Sequence, residues 1–166
     1  MTRQLVLLRH GKAGHPSGMA DIERPLTDRG ERDSRAAGGW LVEQGYLPDA
    51  VVCSPAQRAR QTWYGVKPTL PRQVEVIYDQ RVYDAYAADE LLDAVHDIDG
   101  EVNVLMLIGH NPTLEQLSVL LDPSGGPSGG LRTAGVAVHE FDGEWGALAA
   151  EAAPLVATTT ARADKP

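Results

Sequence analysis

The chain has 166 residues, a length that one compact domain commonly occupies and that suffices to bury a sizeable core. Hydrophobic residues make up 43% and charged residues 23%, which excludes a disordered or fibrous protein. The formal net charge of −8 argues against a nucleic-acid surface, because binding to duplex depends on basic residues that release counterions.

The run QLVLLRHG reads as a short buried strand, since four consecutive apolar residues leave no solvent face, and it ends in a glycine-containing turn that puts Arg9 and His10 at its carboxyl end. The apolar stretch Leu5 to Leu8 is too short to span a bilayer and no basic, apolar leader precedes it, so a cytoplasmic location without membrane partners is expected. Thr27 is a candidate N-cap for a helix that carries Ala37, Trp40 and Leu41 at helical spacing and stops at Gly45. A second strand, DAVVCS, is followed by Pro55 near a helix start, which places Arg58 in the first turn of that helix. The lone Cys53 excludes an intramolecular disulfide and fits a reducing compartment.

A weaker strand at VEVIYD precedes a helix with Leu91, Leu92 and Val95, and VNVLMLIG is the longest apolar strand of the chain. His110 follows that strand as His10 follows the first, and PTLEQLSVLL then starts a helix at Pro112. This alternation predicts a three-layer α/β/α sandwich with a mostly parallel central sheet. Beyond the low-complexity loop DPSGGPSGG, the segments GVAVHEF and EWGALA flank Asp142 and Gly143, which predicts a hairpin and hence an antiparallel strand at one edge. Residues 1–153 form the expected single domain, and 154–166, with little apolar periodicity, a flexible tail. Nothing in the pattern marks an oligomer seam.

In open α/β sheets ligands bind beyond the carboxyl ends of strands. Three polar clusters fall at such ends: Arg9, His10, Gly11; Ser54, Pro55, Arg58; Gly109, His110, Asn111. Two arginines and two histidines on one edge suit a phosphate, because arginine pairs bidentately with its oxygens and histidine can attack or donate. Taken singly, an arginine at a strand end is ordinarily a solvated charge and a histidine a satisfied turn residue. Their joint, ordered occurrence changes the reading.

LLRHGKA, RPLTDRG, CSPAQRARQT and IGHNPTLEQL resemble the ordered motifs of the SixA-type branch of the histidine phosphatase superfamily, from about Gln4 to Trp145. The resemblance implies a phosphoglycerate mutase-like fold and a nucleophile at His10, with Arg9, Arg58 and His110 holding the phosphoryl oxygens that do not react. The chemistry accounts for each choice: neutral imidazole is a good nucleophile near pH 7, and its phosphoramidate is readily hydrolysed. Gly11 allows a tight backbone beside the phosphate. Fixed arginine charge supplies the field phosphoryl transfer needs, so no metal or other cofactor is expected.

Mutase-type relatives carry a glutamate general acid in an insertion between the second and third motifs, and this chain has only a short stretch there. Asp79, Asp84 and Asp21 are the carboxylates available, with Asp84 preferred because it follows Tyr83 in VYDA. Without the insertion the site should be open, suited to a phosphohistidine displayed on a protein. A broad small-molecule phosphomonoesterase on the same site is one alternative, and a catalytically silent phosphate-binding module is another. His15, His96 and His139 have no motif around them, and Lys12 and Arg24 are as well read as solvated rim charges. A cysteine phosphatase would need arginine six residues after Cys53, where Ala59 stands, and no HExxH or paired DxH spacing offers a metal site.

Overall fold

A computed structural model of the chain describes residues 2–164. In chain order the elements are β1 (Thr2–Arg9), α1 (Asp28–Gln44), β2 (Ala50–Cys53), α2 (Gln57–Val66), β3 (Glu75–Tyr78), α3 (Gln80–Asp84), α4 (Ala88–His96), β4 (Val104–Gly109), α5 (Thr113–Leu121), β5 (Gly135–Asp142) and β6 (Leu155–Thr160), with short 3-10 turns between some of them. The strands form one sheet in the order β3-β2-β4-β1-β5-β6. The four strands β3, β2, β4 and β1 are mutually parallel, and β5 runs antiparallel to both β1 and β6.

Burial explains the unbroken apolar runs at residues 5–8 of β1 and 104–108 of β4. Leu5 and Leu7 pack with Leu105 and Leu107 against Leu91, Val95, Leu114 and Leu117 of α4 and α5. Val6 and Leu8 pack with Met106 and Ile108 on the opposite face, against Leu41 of α1 and Trp63 of α2. Each fully buried aliphatic side chain contributes about 1.5–3 kcal/mol of transfer free energy, so a strand between two helical layers gains by having no polar face. The layers are those expected. Thr27 caps α1 by accepting the Gly30 N–H at 3.1 Å, and Gly45 ends it at φ 79°.

The carboxyl-terminal region departs from the expected hairpin. EWGALA does not return as a strand; Trp145–Ala147 is a 3-10 turn that buries Trp145. The partner of β5 is β6, Leu155–Thr160, within the segment expected to be a tail. Its alternating burial, with three of six positions exposed, is that of a half-solvated edge strand. Leu155–Thr160 lacks an apolar run because only one face of it meets the core, whereas its Val and Thr content is the β-branched signal that marks it. The tail beyond it includes residues 165–166, which lie outside the described residues.

Candidate active site

β1 and β4 run side by side with Arg9 opposite Gly109, so His10 and His110 leave the sheet together at its carboxyl edge. Their ring centroids are 5.1 Å apart. β2 flanks the other side of β4, with Cys53 opposite Ile108, and the turn after it starts α2 at the same edge and delivers Arg58. Adjacent parallel strands thus bring together three motifs that lie as much as 101 positions apart in sequence, from Arg9 to His110.

His10 is nearly buried, and its Nδ1 lies 2.8 Å from the Gly11 carbonyl oxygen. A carbonyl only accepts, so Nδ1 carries the proton and Nε2 keeps its lone pair. Burial, reinforced by the charges of Arg58, Arg9 and Arg24, pushes the His10 pKa down to about 4 against the opposing bond to Gly11. The ring is neutral at pH 7. His110 is lowered to about 3, first by burial and then by His10 and Arg58. Its Nε2 is 2.7 Å from Ser54 Oγ, while its Nδ1 is buried without a partner among the described residues.

Gly11 serves differently from the backbone turn envisaged beside the anion. Its N–H donates to Thr62 Oγ1 at 3.0 Å, and so is already used within the protein. A side chain there would place Cβ 2.6 Å from the Gly30 carbonyl oxygen, so glycine is required by the close approach of the loop to α1. What Gly11 offers the site is the carbonyl that sets the His10 tautomer.

Arg9 donates from Nη1 to Leu131 O at 3.2 Å, an oxygen that also accepts Asn111 Nδ2, and Glu115 accepts the Leu131 N–H. Arg9 Nε is buried with no partner among the described residues. Burial lowers the pKa of Arg9 and Glu115 opposes this, and a guanidinium keeps its charge at any ordinary pH. Arg58, 7% exposed, donates from Nη1 to the Asp21 carbonyl at 2.7 Å and from Nη2 to its carboxylate at 3.1 Å.

Asp21 is thereby part of the site in a way the sequence did not reveal. Its carboxylate also accepts Tyr83 Oη at 2.7 Å and Arg24 Nη1 at 2.9 Å. The Tyr83 bond, followed by that from Arg24, holds its carboxyl well below the usual range, which makes it a poor proton donor. Arg24, set among the rim charges by sequence, stands in the RPLTDRG motif and also donates to His15 and to Gly14 O. Lys12 is exposed.

Of the other carboxylates, Asp79 caps α3 and pairs with Arg81, whereas Asp84 lines a cavity of about 430 Å³ with Asp21, Arg58, Tyr83, Tyr86 and His110. His10 is not among the residues lining it, and its ring centroid lies 5.1 Å from that of His110. His96 bonds Leu148 O, and His139, fully buried, is satisfied by Ala153 O and Ser118. Burial pushes the Cys53 thiol up to about 12, as befits an inert core residue. Among the described residues no cluster of His, Cys, Asp or Glu is arranged to hold a metal, and no helix is long and apolar enough to cross a membrane.

Two buried nitrogens without partners among the described residues, Arg9 Nε and His110 Nδ1, lie with His10 and the buried Arg58 at the sheet's carboxyl edge, an arrangement with the chemistry to bind an anion. Comparison with known proteins agrees. The histidine phosphatase superfamily (branch 1) model matches residues 5–87. A protein of Mycobacterium tuberculosis described as uncharacterized is 34% identical over 157 residues, covering 90% of this chain and 96% of that one. A similarly described Mycobacterium leprae protein is 33% identical over 161 residues, covering 90% and 97%. Among solved structures, a candidate phosphohistidine phosphatase SixA from Nakamurella multipartitia superposes with TM-score 0.82 at 33% identity, covering 97% of each chain. The protein histidine phosphatase SixA complexed with tungstate superposes with TM-score 0.80 at 25% identity, covering 95% of this chain and 96% of that one. The chain belongs to branch 1 of the histidine phosphatase superfamily and is of the SixA type. The family and the SixA-type neighbours support phosphatase activity.

Proposed function

We propose that the protein is a phosphatase that needs no metal and works through a covalent phosphohistidine at His10, with protein phosphohistidine as its substrate. The observation that carries the reading is the His10 tautomer: with Nδ1–H committed to Gly11 O, the unprotonated Nε2 is the atom available to attack phosphorus. Nε2 forms a bond to phosphorus as the leaving group departs with its electron pair, and Arg9, Arg58 and His110 hold the remaining phosphoryl oxygens. Water then attacks the phosphoramidate, the P–N bond breaks, and Nε2 recovers its lone pair as phosphate leaves. The unpartnered Arg9 Nε and His110 Nδ1 support the assignment of these side chains to the oxygens. Gly11 acts through His10.

The choice of substrate rests on the leaving group. A phosphorylated imidazole protonated at its other nitrogen departs as neutral imidazole, so it needs little help from a general acid. Asp84 is the carboxylate best placed to give such help, because it lines the cavity and Asp21 is held ionised. The SixA relative bound to tungstate, described as a protein histidine phosphatase, favours the same substrate.

The test is alkaline quenching during turnover of a phosphohistidine protein, with mass spectrometric mapping of the acid-labile, base-stable label. Label is expected on His10, and His10→Ala should lose turnover by several orders of magnitude while staying folded. Substantial activity in His10→Ala, or label elsewhere, would overturn the mechanism. Comparable rates on unrelated alkyl esters would replace the substrate assignment with that of a broad phosphomonoesterase.

A further inference from the structure

We propose that Ser54 is a positioning residue, whose hydroxyl donates to His110 Nε2 and thereby fixes the tautomer that presents Nδ1–H to the phosphoryl group. Ser54 directly follows β2, is fully buried, and donates its own N–H to Ile108 O at 3.0 Å. That bond sets it beside the end of β4, from which His110 emerges. Its Oγ accepts the Ala56 N–H at 3.2 Å and lies 2.7 Å from His110 Nε2.

Counting protons decides the direction of that last bond. A hydroxyl has one proton and two acceptor sites. Ala56 uses an acceptor site, and among the described residues the hydroxyl proton has no acceptor other than His110 Nε2. Were Nε2 protonated, it would take the second acceptor site, the serine proton would be buried without an acceptor, and Nδ1 would be a buried lone pair facing no donor. With Ser54 donating, Nδ1–H is the one group unmatched. Leaving a buried polar group unmatched costs about 1–3 kcal/mol, so the arrangement with one such group is preferred over that with two. The remaining group is a donor, which is what an oxyanion requires.

This direction has to be imposed by the protein. Neutral imidazole left to itself favours the Nε2–H form, and in a protein the tautomer is set by the bond the other nitrogen makes. Ser54 also ties two parts of the site together. The Ala56 N–H it accepts belongs to the residue that caps α2, and α2 carries Arg58 in its first turn. One hydroxyl therefore couples the orientation of His110 to the start of the helix that bears the arginine.

The role rests on the placing of His110 at the phosphoryl group, and nitrogen-15 spectra of the imidazoles test it independently of turnover. Near pH 7 the His110 signals, assigned by comparison with His110→Gln, should show a protonated Nδ1 and an unprotonated Nε2 in the wild-type protein. In Ser54→Ala the pattern should reverse, and kcat/KM on p-nitrophenyl phosphate should fall about 10–100-fold, by analogy with losing a group that orients a metal-bound histidine. A protonated Nε2 in the wild type overturns the proposal, and this holds whether or not Ser54→Ala folds. So does an unchanged pattern in Ser54→Ala, or a reversed pattern with undiminished kcat/KM. If the wild-type spectrum is as expected but no phosphorylated substrate is turned over, the tautomer assignment stands and the phosphatase reading fails.

Discussion

At Arg58 both terminal nitrogens are engaged, one on the Asp21 carbonyl and one on its carboxylate, so the planar fork is held in a single orientation before any phosphate arrives. Arg58→Ala should lower kcat about a hundredfold or more, as for loss of one preorganised charge-stabilising donor. Arg58→Lys should recover only part of this, because an ammonium cannot bond both Asp21 and a phosphoryl oxygen in the same plane; full activity in the lysine variant would exclude a bidentate role. The carboxylates set a second expectation. Asp21 is kept ionised by Tyr83, Arg24 and Arg58, and Asp84, the other carboxylate lining the cavity, is exposed, so among the described residues the cavity shows no buried carboxyl to give a leaving group its proton. An alkoxide needs that proton and an activated phenolate does not, so kcat/KM should depend steeply on leaving-group pKa across graded aryl and alkyl phosphates. A flat dependence with chemistry rate-limiting would show an effective acid, and a further fall in alkyl turnover in Asp84→Asn would identify it.

Among the elements, the β1–α1 loop and the first turn of α1 meet closely beside the nucleophile. A Cβ at Gly30 would lie 2.2 Å from the Lys12 carbonyl oxygen, and one at Gly11 would lie 2.6 Å from the Gly30 carbonyl oxygen. Two backbones meet there with no room for a methyl group. Gly30→Ala should therefore push α1 off the loop and lower stability by about 1–3 kcal/mol, the usual range for overpacking. Because the Gly11 carbonyl orients His10, kcat should fall as well. Urea denaturation alongside steady-state kinetics would check both, and a variant of unchanged stability would mean that the loop yields without strain. The β5–β6 edge plays a different part, extending the sheet beside β1.

Across the whole molecule, three histidines are buried in the neutral form. The pKa values of His10, His110 and His139 lie below the ordinary 6.5, at about 4 and about 3 for the first two, with burial the leading cause in each. Between about pH 6.5 and 4 the unfolded chain therefore binds more protons than the folded one. Stability must fall as pH falls through that window, by at most roughly 1.4 kcal/mol per pH unit for each histidine. Thermal melts from pH 7 to pH 4 should show a declining Tm, with a shallower decline in His10→Ala and in His110→Gln. Parallel slopes in wild type and variants would mean that these rings do not titrate on unfolding. Catalysis should tolerate acid better: as far as His10 is concerned, kcat/KM should hold from pH 8 to about 5 and fall near 4, where Nε2 takes up a proton.

The layered α/β architecture and the positions of Arg9, His10, Arg58 and His110 at strand and helix ends were legible in the sequence, because strands buried on both faces read as unbroken apolar runs and the polar residues that interrupt them stand out. The weaker elements were not. β6 has one face in water and so shows no apolar run, and the Asp-Gly turn at 142–143 leads into a 3-10 turn because Trp145 is drawn into the core beside Phe141. Nor could local pattern reveal partners that meet only through folding: Asp21 with Arg58 and Tyr83, Ser54 with His110, and the Gly11 N–H spent on Thr62. Periodicity records which face of an element is buried, a property of neighbouring residues. Which donor meets which acceptor across 56 or 62 positions depends on strand order and register, and these exist only once the sheet has formed.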